Sequence, residues 1–177
     1  SFEICKRYAD MDKRIVAISG SHRGVGSARN LGIDIAKGKY VTFLDSDDWF
    51  DPDYLDIAFK KITTTGVSIY RSGLRRMPTN TSLALTESIC ASCQSISEDT
   101  FVLLIKQNYI TSVAGAVISR LVIGDIRFDT SVTMGEDMRF VFDVLRNCPD
   151  TVYADSNAYY NYRMREGSLT AGVDQRK

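Results

Sequence analysis

Three aspartates stand within the four consecutive residues Asp45-Ser46-Asp47-Asp48, directly after the apolar run Tyr40–Leu44. In an extended backbone the side chains at positions i and i+2 share a face, so we expect Asp45 and Asp47 to converge. Carboxylates this close repel each other unless a cation lies between them, and oxygen-only ligands favour Mg²⁺ or Mn²⁺. Asp and Ser are also common turn residues, so the segment alone leaves a metal site and a plain turn equally open.

A second pattern is rich in glycine, because residues Ile15–Gly26 read IVAISGSHRGVG. A strand followed by G-x-x-x-G-x-G at a helix start is the phosphate-binding turn of a dinucleotide site. It resembles the fingerprint of NAD(P)-dependent short-chain dehydrogenases, and Asp45 lies near the spacing of their ribose-binding carboxylate. Those enzymes need a tyrosine with a lysine four residues later, and no tyrosine of this chain has one. The dehydrogenase is therefore the less favoured interpretation. The glycines could also serve only to connect a strand to a helix, with no ligand bound.

Composition and charge narrow the class of protein. The chain has 177 residues, with 22 basic and 22 acidic side chains and 44% hydrophobic residues. This balance argues against a nucleic-acid partner bound through a basic face, and the hydrophobic content predicts a folded domain. No stretch approaches the ~20 apolar residues of a transmembrane helix. Four cysteines are too few for a disulfide framework and predict a reducing compartment. The lone CxxC of Cys90 and Cys93, even with the single His22, falls short of the usual zinc ligand set.

The spacing of apolar residues in the first half predicts an α/β domain with a mostly parallel central sheet. Helices and strands alternate, beginning with a helix near the N-terminus. A further helix is expected from Val25 to a C′ glycine at Gly38, and another after the N-cap Asp51 with Pro52 at its first position. The predicted strands are Ile15–Ile18, Tyr40–Leu44 and Gly66–Tyr70.

The second half of the chain is less regular. Pro78–Ser97 is rich in Thr, Ser and Asn and predicts a loop, whereas Glu98–Gln107 predicts a helix. Glu136–Arg146 carries apolar residues on one face and predicts an amphipathic helix. The apolar segment Ser112–Ile123 fits either element type. Short strands are predicted at Thr151–Ala154 and Tyr159–Arg163.

Four ordered motifs resemble one family over nearly the whole chain. Gly24–Leu55 reads GVGSARNLGIDIAKGKYVTFLDSDDWFDPDYL. It closely resembles the G-x-s-x-A-R-N, A-x-G-x-Y-x-x-F-L-D-x-D-D and x-P-x-x-L pattern of glycosyltransferase family 2. Ile126–Asp129 (IRFD) and Gly135–Asp137 (GED) resemble two further signatures, and Tyr159–Thr170 resembles the Y-x-Y-R-x-x-x-x-S-i-T tail. The resemblance implies an inverting nucleotide-sugar enzyme with a GT-A-like fold.

The resemblance also implies roles for particular residues. Asp45 and Asp47 match the D-x-D motif, with Asp47 as the ligand of Mn²⁺ or Mg²⁺ and Asp45 as a contact to the ribose or the metal shell. Arg29 matches the arginine of A-R-N, which lies near the nucleotide in relatives. Asp137 matches the catalytic base, with Glu136 beside it. The residues that match a segment closing over the donor are Arg163, Arg165 and Ser168.

Two of these assignments have a structural alternative. Glu136 and Asp137 also suit a helix N-terminus, where the helix dipole favours acidic side chains. Arg163, Arg165 and Ser168 also suit a solvated basic loop, and the sequence leaves both interpretations open.

The chain departs from the family pattern at two places. The family's first two strands, with the P-x-Y-N and D-D-x-S-x-D segments that hold the base, have no match before Ile15, and Val113–Arg120 replaces a frequent W-x-K-L-y. We therefore expect a single, N-terminally truncated domain at 1–177, with a nucleotide-sugar-binding region at 1–76 and an acceptor-side region at 77–177. We expect one of two outcomes: either the two strands lie in the protein outside the given residues, or these residues self-associate as a homo-oligomer through the Ile15–Ile18 side of the sheet.

The implied function is transfer of a sugar, with inversion, from a nucleotide-diphosphate sugar to a hydroxyl group of a saccharide or lipid-linked saccharide, in polysaccharide or glycoconjugate synthesis. Asp137 would take the acceptor proton, and a divalent cation would stabilise the departing diphosphate. Such an enzyme is expected in the cytoplasm, with peripheral association at the inner face of the membrane. A non-catalytic domain for sugar-nucleotide binding or assembly is the alternative from another class.

Overall fold

The computed structural model describes residues 1–20, 23–77, 81–83, 89–92, 112–132, 134–148 and 151–164. The described elements include both helices and strands, with helices packed on a central sheet, which confirms the predicted α/β class. The helices are α1 (Phe2–Met11), α2 (Val25–Ile35), α3 (Tyr54–Thr65), α4 (Arg120–Ile123) and α5 (Glu136–Asn147). The strands are β1 (Tyr40–Thr42), β2 (Trp49–Phe50), β3 (Ile69–Met77), β4 (Thr81–Leu83), β5 (Ile89–Ser92), β6 (Ala116–Ser119) and β7 (Thr151–Arg163).

The described strands form one mixed sheet in the order β1-β6-β3-β7-β2, with β4 added to β3 and β5 added to β7. Long strands β3 and β7 pair in parallel, and Phe43 forms an isolated parallel bridge with Ala114. The other described pairings are antiparallel. The sheet is therefore mixed where a mostly parallel one was expected. The reason is that β6 runs antiparallel between β1 and β3, and the short edge strands pair antiparallel with their neighbours.

Hydrophobic clusters built on different helices cover this sheet. α5 turns one apolar face inward, burying Phe140, Val141, Val144 and Leu145 beside Ile33 of α2. α3 buries Tyr54, Ala58 and Ile62, which recur every four residues, against Tyr70 and Val117 of the sheet. α3 ends at Gly66, whose positive φ of 74° is the left-handed conformation that glycine adopts without steric cost. The clusters thereby fix both helices against the strands that carry the motifs.

Several predicted elements are confirmed with shifted bounds. The helices expected from Val25 and over Glu136–Arg146 are present, and the strand predicted at Tyr40–Leu44 forms over its first three residues. The helix expected after Asp51-Pro52 begins at Tyr54. The strands expected at Thr151–Ala154 and Tyr159–Arg163 are the two ends of the continuous strand β7, and the segment Ser112–Ile123 contains β6 and α4.

Other predicted elements were wrong. Ile15–Ile18 forms no strand, because no described strand pairs with it, and Val16 is 68% exposed. Gly38 is not the C′ residue of α2, which ends at Ile35 with Ala36 extended. The predicted loop Pro78–Ser97 contains β4 and β5, because pairing with β3 and β7 overrides its turn-like composition. The helix predicted at Glu98–Gln107 lies outside the described residues.

The N-terminal segment, unlike the other helices and strands of the sheet and its clusters, contributes little to the hydrophobic core. α1 buries none of its residues, and the apolar side chains of Ile15, Val16 and Ile18 that follow it are exposed. The expected self-association through this side stays a prediction. Within the described residues, no helix combines the length and apolar character needed to cross a membrane.

Candidate functional site

Arg29 of α2 joins the two acidic motifs across the molecule. Its Nη2 donates to Asp45 Oδ1 at 2.9 Å, and its Nη1 donates to Glu136 Oε1 at 3.3 Å. The guanidinium also lies over the ring of Phe128, 5.4 Å from the ring centroid. The Arg29 guanidinium therefore contacts residues that lie up to 107 positions away in the sequence. The structure brings together three of the residues that the sequence singled out.

Burial strengthens this ion-pair network unevenly. The side chains of Arg29 and Glu136 are each 13% exposed, whereas that of Asp45 is 42% exposed. Solvent screens the Arg29–Asp45 pair more than the Arg29–Glu136 pair, since a partly buried pair lies in a lower effective dielectric. Arg29 is therefore held mainly from the Glu136 side, and it presents Asp45 at the edge that solvent and ligands can reach.

Asn30, next to Arg29, fixes the segment that leads to the second acidic motif. Its Nδ2 donates to the carbonyl oxygen of Phe128 at 2.9 Å, and its Oδ1 accepts from the backbone N–H of Phe128 at 2.8 Å. The Phe128 ring then stacks on Phe140 at 4.0 Å between centroids and meets the edge of Phe43 at 5.5 Å. This side chain amide thus ties α2 to the IRFD segment, and the rings tie that segment to α5 and to the chain just after β1.

The second acidic motif forms the beginning of α5. Gly135 has a φ of 85°, which is left-handed backbone, and Glu136 and Asp137 lie in the first helical turn. Negative charge is stabilised there by the unpaired N–H groups and the helix dipole. Asp137 Oδ1 accepts from the backbone N–H of Met138 at 2.9 Å, a local contact, while Glu136 reaches Arg29. Asp137 is half-buried, so its carboxylate is accessible to a ligand.

The first acidic motif forms a tight turn after β1. The backbone N–H of Asp48 donates to the carbonyl oxygen of Asp45 at 3.1 Å. Asp48 Oδ2 accepts from the hydroxyl of Tyr160 at 2.7 Å, and Asp48 Oδ1 accepts from the backbone N–H of Arg163 at 2.9 Å. Burial raises the pKa of Asp48, against the lowering effect of these two hydrogen bonds. The turn is therefore attached to the end of β7.

The residues Asp45 and Asp47 are the ones that could hold a divalent cation. Within the described residues, no three His, Cys, Asp or Glu side chains cluster as a ready metal cage. Mg²⁺ normally uses one or two carboxylates together with waters and substrate phosphates, so the half-exposed pair Asp45 and Asp47 fits that donor set. The chemistry of these oxygens suits Mg²⁺ or Mn²⁺, with a bound diphosphate supplying further ligands.

The predicted donor-closing segment is described only at its start. Arg163, the last residue of β7, is exposed, and its guanidinium lies over the Trp49 ring at 5.4 Å from the centroid. Arg163 therefore borders the acidic turn through its backbone and β2 through its side chain. Arg165 and Ser168 lie outside the described residues. Cys93 and His22 also lie outside them, while Cys5 is exposed, Cys148 is buried, and neither forms a disulfide within the described residues.

Sequence reasoning missed residues that hold the site together. It gave no role to Asn30, Asp48 or Tyr160, although all three stand inside the quoted motifs. It also missed a buried network below the turn. There Asn161 Nδ2 donates to Asp51 Oδ1 at 2.8 Å, and Arg75 Nη1 donates to Asn161 Oδ1 at 2.9 Å. The available signal was that Asn30, Asp48 and Tyr160 are polar residues inside the motifs and yet have no part in the predicted chemistry.

The dehydrogenase alternative finds no support in the described residues. A dinucleotide turn needs a buried strand before its glycines, and Ile15–Ile18 forms none. The Asp45 carboxylate, expected on a ribose in that alternative, is instead bonded to Arg29.

Comparison with solved structures defines the class of the fold. The chain superposes on residues 1–349 of TarS from S. aureus in complex with UDP-GlcNAc with a TM-score of 0.75 at 21% identity, covering 94% of this chain and 46% of that one. The same protein in complex with UDP gives a TM-score of 0.70 at 18% identity, covering 90% and 47%. The fold is therefore the GT-A fold of glycosyltransferases, as predicted.

The family follows from sequence comparison. The model described as Glycosyl transferase family 2 matches residues 1–94, more than half of the chain, and the chain belongs to that family. Glycosyltransferase GlyA of Streptococcus pneumoniae is 48% identical over 62 residues, which are 35% of this chain and 9% of GlyA. Succinoglycan biosynthesis protein ExoO of Rhizobium meliloti is 27% identical over 164 residues, 89% of this chain and 47% of ExoO. The chain thus spans about half the length, or less, of these relatives.

Proposed function

We propose that this chain binds a nucleotide-diphosphate sugar and transfers its sugar, with inversion, to a hydroxyl group of an acceptor. The observation that carries the proposal is the bridge from Asp45 through Arg29 to Glu136. It joins the acidic turn, suited to a metal-bound diphosphate, to the helix start that carries Asp137. A donor-binding group and a proton acceptor on neighbouring elements are the two requirements of a single displacement.

Asp137 is the general base of the proposed reaction. The acceptor oxygen attacks the anomeric carbon from the face opposite the diphosphate, forming the new C–O bond while the bond to the diphosphate oxygen breaks. The hydroxyl proton passes to the Asp137 carboxylate, and the electron pair of the broken bond leaves with the diphosphate. General base catalysis of this kind contributes about 10²–10⁴-fold. A single attack from the opposite face inverts the anomeric centre.

Asp45 and Asp47 are the proposed holders of Mn²⁺ or Mg²⁺, which when bound would neutralise charge developing on the diphosphate. Arg29 fixes the Asp45 carboxylate from the inner side through the 2.9 Å hydrogen bond, so the carboxylate does not need to reorganise when the ligand binds. The proposed donor-binding region, residues 1–76, is completed by β7, because Tyr160 and Arg163 contact the acidic turn.

The printed descriptions of similar proteins support the proposed substrate classes. TarS is described with UDP and UDP-GlcNAc, and ExoO is named for succinoglycan biosynthesis. We therefore propose a nucleotide-diphosphate sugar as the donor, a saccharide or lipid-linked saccharide as the acceptor, and a role in polysaccharide or glycoconjugate synthesis, with the acceptor bound by residues 77–177. The cytoplasmic location at the membrane's inner face belongs to the same proposal.

Calorimetry with UDP and Mn²⁺ tests the donor site. We expect UDP binding to the purified protein to strengthen by about tenfold or more when Mn²⁺ is added, since the cation links the carboxylates to the diphosphate. Asp47→Ala should bind UDP with no dependence on Mn²⁺.

Asp56→Ala is the matched control, because Asp56 is an exposed aspartate in the first turn of α3. It should keep the metal dependence of the unmodified protein. Metal-dependent binding that persists in Asp47→Ala would remove Asp47 from the site. A screen of nucleotide sugars for Mn²⁺-dependent donor hydrolysis would then identify the donor.

A further inference from the structure

The third carboxylate of the acidic turn is used differently from the other two. Both oxygens of Asp48 are engaged by β7: Oδ2 accepts from the Tyr160 hydroxyl at 2.7 Å and Oδ1 accepts from the Arg163 backbone N–H at 2.9 Å. A carboxylate whose two oxygens accept from protein donors has less capacity left for a cation. Asp48 therefore faces the sheet, although it belongs to the same acidic run as Asp45 and Asp47.

Tyr160 supplies the other half of this contact. It is fully buried within β7, and its ring meets the edge of Phe50 at 5.5 Å between centroids. Its hydroxyl donates to Asp48 and accepts from the backbone N–H of Asp45 at 3.3 Å. One phenol thus touches both ends of the turn, which the Asp48 N–H to Asp45 carbonyl bond closes.

We propose that Asp48 and Tyr160 are positioning residues that form a clasp between the acidic turn and β7, and that Asp48 is not a metal ligand. The proposal rests on the proposed function for its consequence in binding. The clasp fixes the backbone of the turn, so that Asp45 and Asp47 are presented together to a metal-bound diphosphate. Because the Arg163 N–H completes the clasp, the end of β7 and the acidic turn are expected to move as one unit.

The physical reason lies in the shortness of the turn. The side chains of Asp45 and Asp47 are carried by only a few residues, and small changes in that backbone change where their oxygens lie. The phenol is held by a buried strand, so it transfers the rigidity of the sheet to the turn. If the Tyr160 hydroxyl is removed, the half-buried Asp48 carboxylate loses a charge-assisted hydrogen bond, which is the stronger kind in proteins.

Hydrogen exchange in the absence of metal and nucleotide tests the clasp directly. Tyr160→Phe should raise the exchange rate of the backbone amides of Asp45 and Asp48 by about tenfold, the factor expected when one hydrogen bond is lost. Asp48→Ala should raise the rate at Asp45 similarly, and it avoids any change inside the core. Tyr153→Phe is the control, because it makes the same chemical change on the same strand. Unchanged exchange at the turn in both test variants would overturn the proposal.

Calorimetry with UDP and Mn²⁺ tests the consequence. Tyr160→Phe and Asp48→Ala should each weaken Mn²⁺-dependent UDP binding by about tenfold, and the loss in the double variant should be smaller than the two single losses combined, because both variants remove the shared Asp48–Tyr160 hydrogen bond. Additive losses would overturn the clasp. So would loss of all metal dependence in Asp48→Ala with normal binding by Tyr160→Phe, which would make Asp48 a ligand. If the unmodified protein shows no Mn²⁺-dependent UDP binding, the proposed function fails, and hydrogen exchange alone decides the clasp.

Discussion

The two acidic segments of the site rest on different kinds of aromatic packing. The turn at Asp45–Asp48 is hydrogen-bonded to the Tyr160 hydroxyl, and the Tyr160 ring packs on Phe50, which in turn packs on Tyr54. The helix start at Glu136–Asp137 is supported by phenylalanines alone among the described ring contacts. Those rings are Phe43, Phe128 and Phe140. The ring that contacts the turn thus contributes hydrogen bonds, whereas the rings beside the helix start contribute packing alone.

This difference separates residues that hold position from residues left for chemistry. In the turn, Asp45 is bonded to Arg29 and Asp48 to Tyr160, so two carboxylates are oriented by partners from other elements. At the helix start, Glu136 is bonded to Arg29, while Asp137 makes a local bond to the N–H of Met138. A base must be able to exchange a proton with its substrate, and a side chain without a long-range partner in the described structure suits that role.

The largest expected effect comes from the base. Asp137→Asn keeps the size of the side chain and its bond to the helix N-terminus, but an amide cannot accept the acceptor proton. We expect sugar transfer to fall by about 10²-fold or more, with Mn²⁺-dependent UDP binding unchanged. Transfer rate and calorimetric binding of the same preparation measure the two quantities.

Asp143→Asn is the control for this variant, since Asp143 lies on the same helix, farther from its start. It should transfer at the unmodified rate. Near-normal transfer by Asp137→Asn would leave the acidic helix start as a dipole preference and assign the base to another residue.

Arg29 is the link between the two segments, and its loss should affect both. Arg29→Gln leaves Glu136, which is 13% exposed, without a cation, while the 42% exposed Asp45 can recover water. We therefore expect a loss of about 1–3 kcal/mol in the free energy of unfolding, mostly from the Glu136 side. UDP binding with Mn²⁺ should weaken by about tenfold, because Asp45 is no longer oriented. Urea unfolding and calorimetry check these values.

Arg139→Gln makes the same change in an arginine that is 61% exposed and pairs with Asp129. It should leave stability within about 0.5 kcal/mol, because solvent screens exposed pairs. Equal stability losses for both arginine variants would mean that the burial of Arg29 does not matter.

The sequence predicts where the two acidic motifs lie better than it predicts the elements around them. The D-x-D-D run and the G-E-D helix start could be placed because acidic residues after a strand and at a helix start have local causes. The strand predicted at Ile15–Ile18 failed because strand formation depends on a partner, which an apolar run does not encode. β4 and β5 were missed for the same reason, since pairing with β3 and β7 creates them.

The contacts that assemble the site could not be predicted from spacing. Arg29 and Glu136 are 107 positions apart, and Asp48 and Tyr160 are 112 apart. A motif gives residue types and their spacing, but it does not show which distant residue each side chain contacts after folding. The division of labour among Asp45, Asp47 and Asp48 is therefore a property of the fold.

Asn30 tests how the segment beside the start of α5 is held, because its side chain bonds to the backbone of Phe128. Asn30→Ala removes the two hydrogen bonds that hold the backbone of Phe128 and leaves a carbonyl and an N–H of that residue without their partner. We expect the free energy of unfolding to fall by about 1–3 kcal/mol. Asn30→Asp keeps the acceptor for the Phe128 N–H and should recover part of this loss. Urea unfolding of both variants gives the values, and an unchanged stability of Asn30→Ala would contradict the role of this amide.

The smallest expected effect is a loss in the free energy of unfolding at alkaline pH, and it comes from the buried phenol of Tyr54. Burial raises the pKa of Tyr54 to about 12, so the folded state favours its protonated phenol. Its stabilising contribution is complete below the ordinary value near 10 and is lost as the pH rises through the folded value. At about pH 11 that loss is about 1 kcal/mol. Tyr54→Phe should therefore lose that much less stability than the unmodified protein between about pH 9 and 11, while the exposed Tyr8→Phe follows the unmodified curve. Equal pH dependence for Tyr54→Phe and the unmodified protein would show that the buried Tyr54 phenol does not contribute to the loss of stability at alkaline pH.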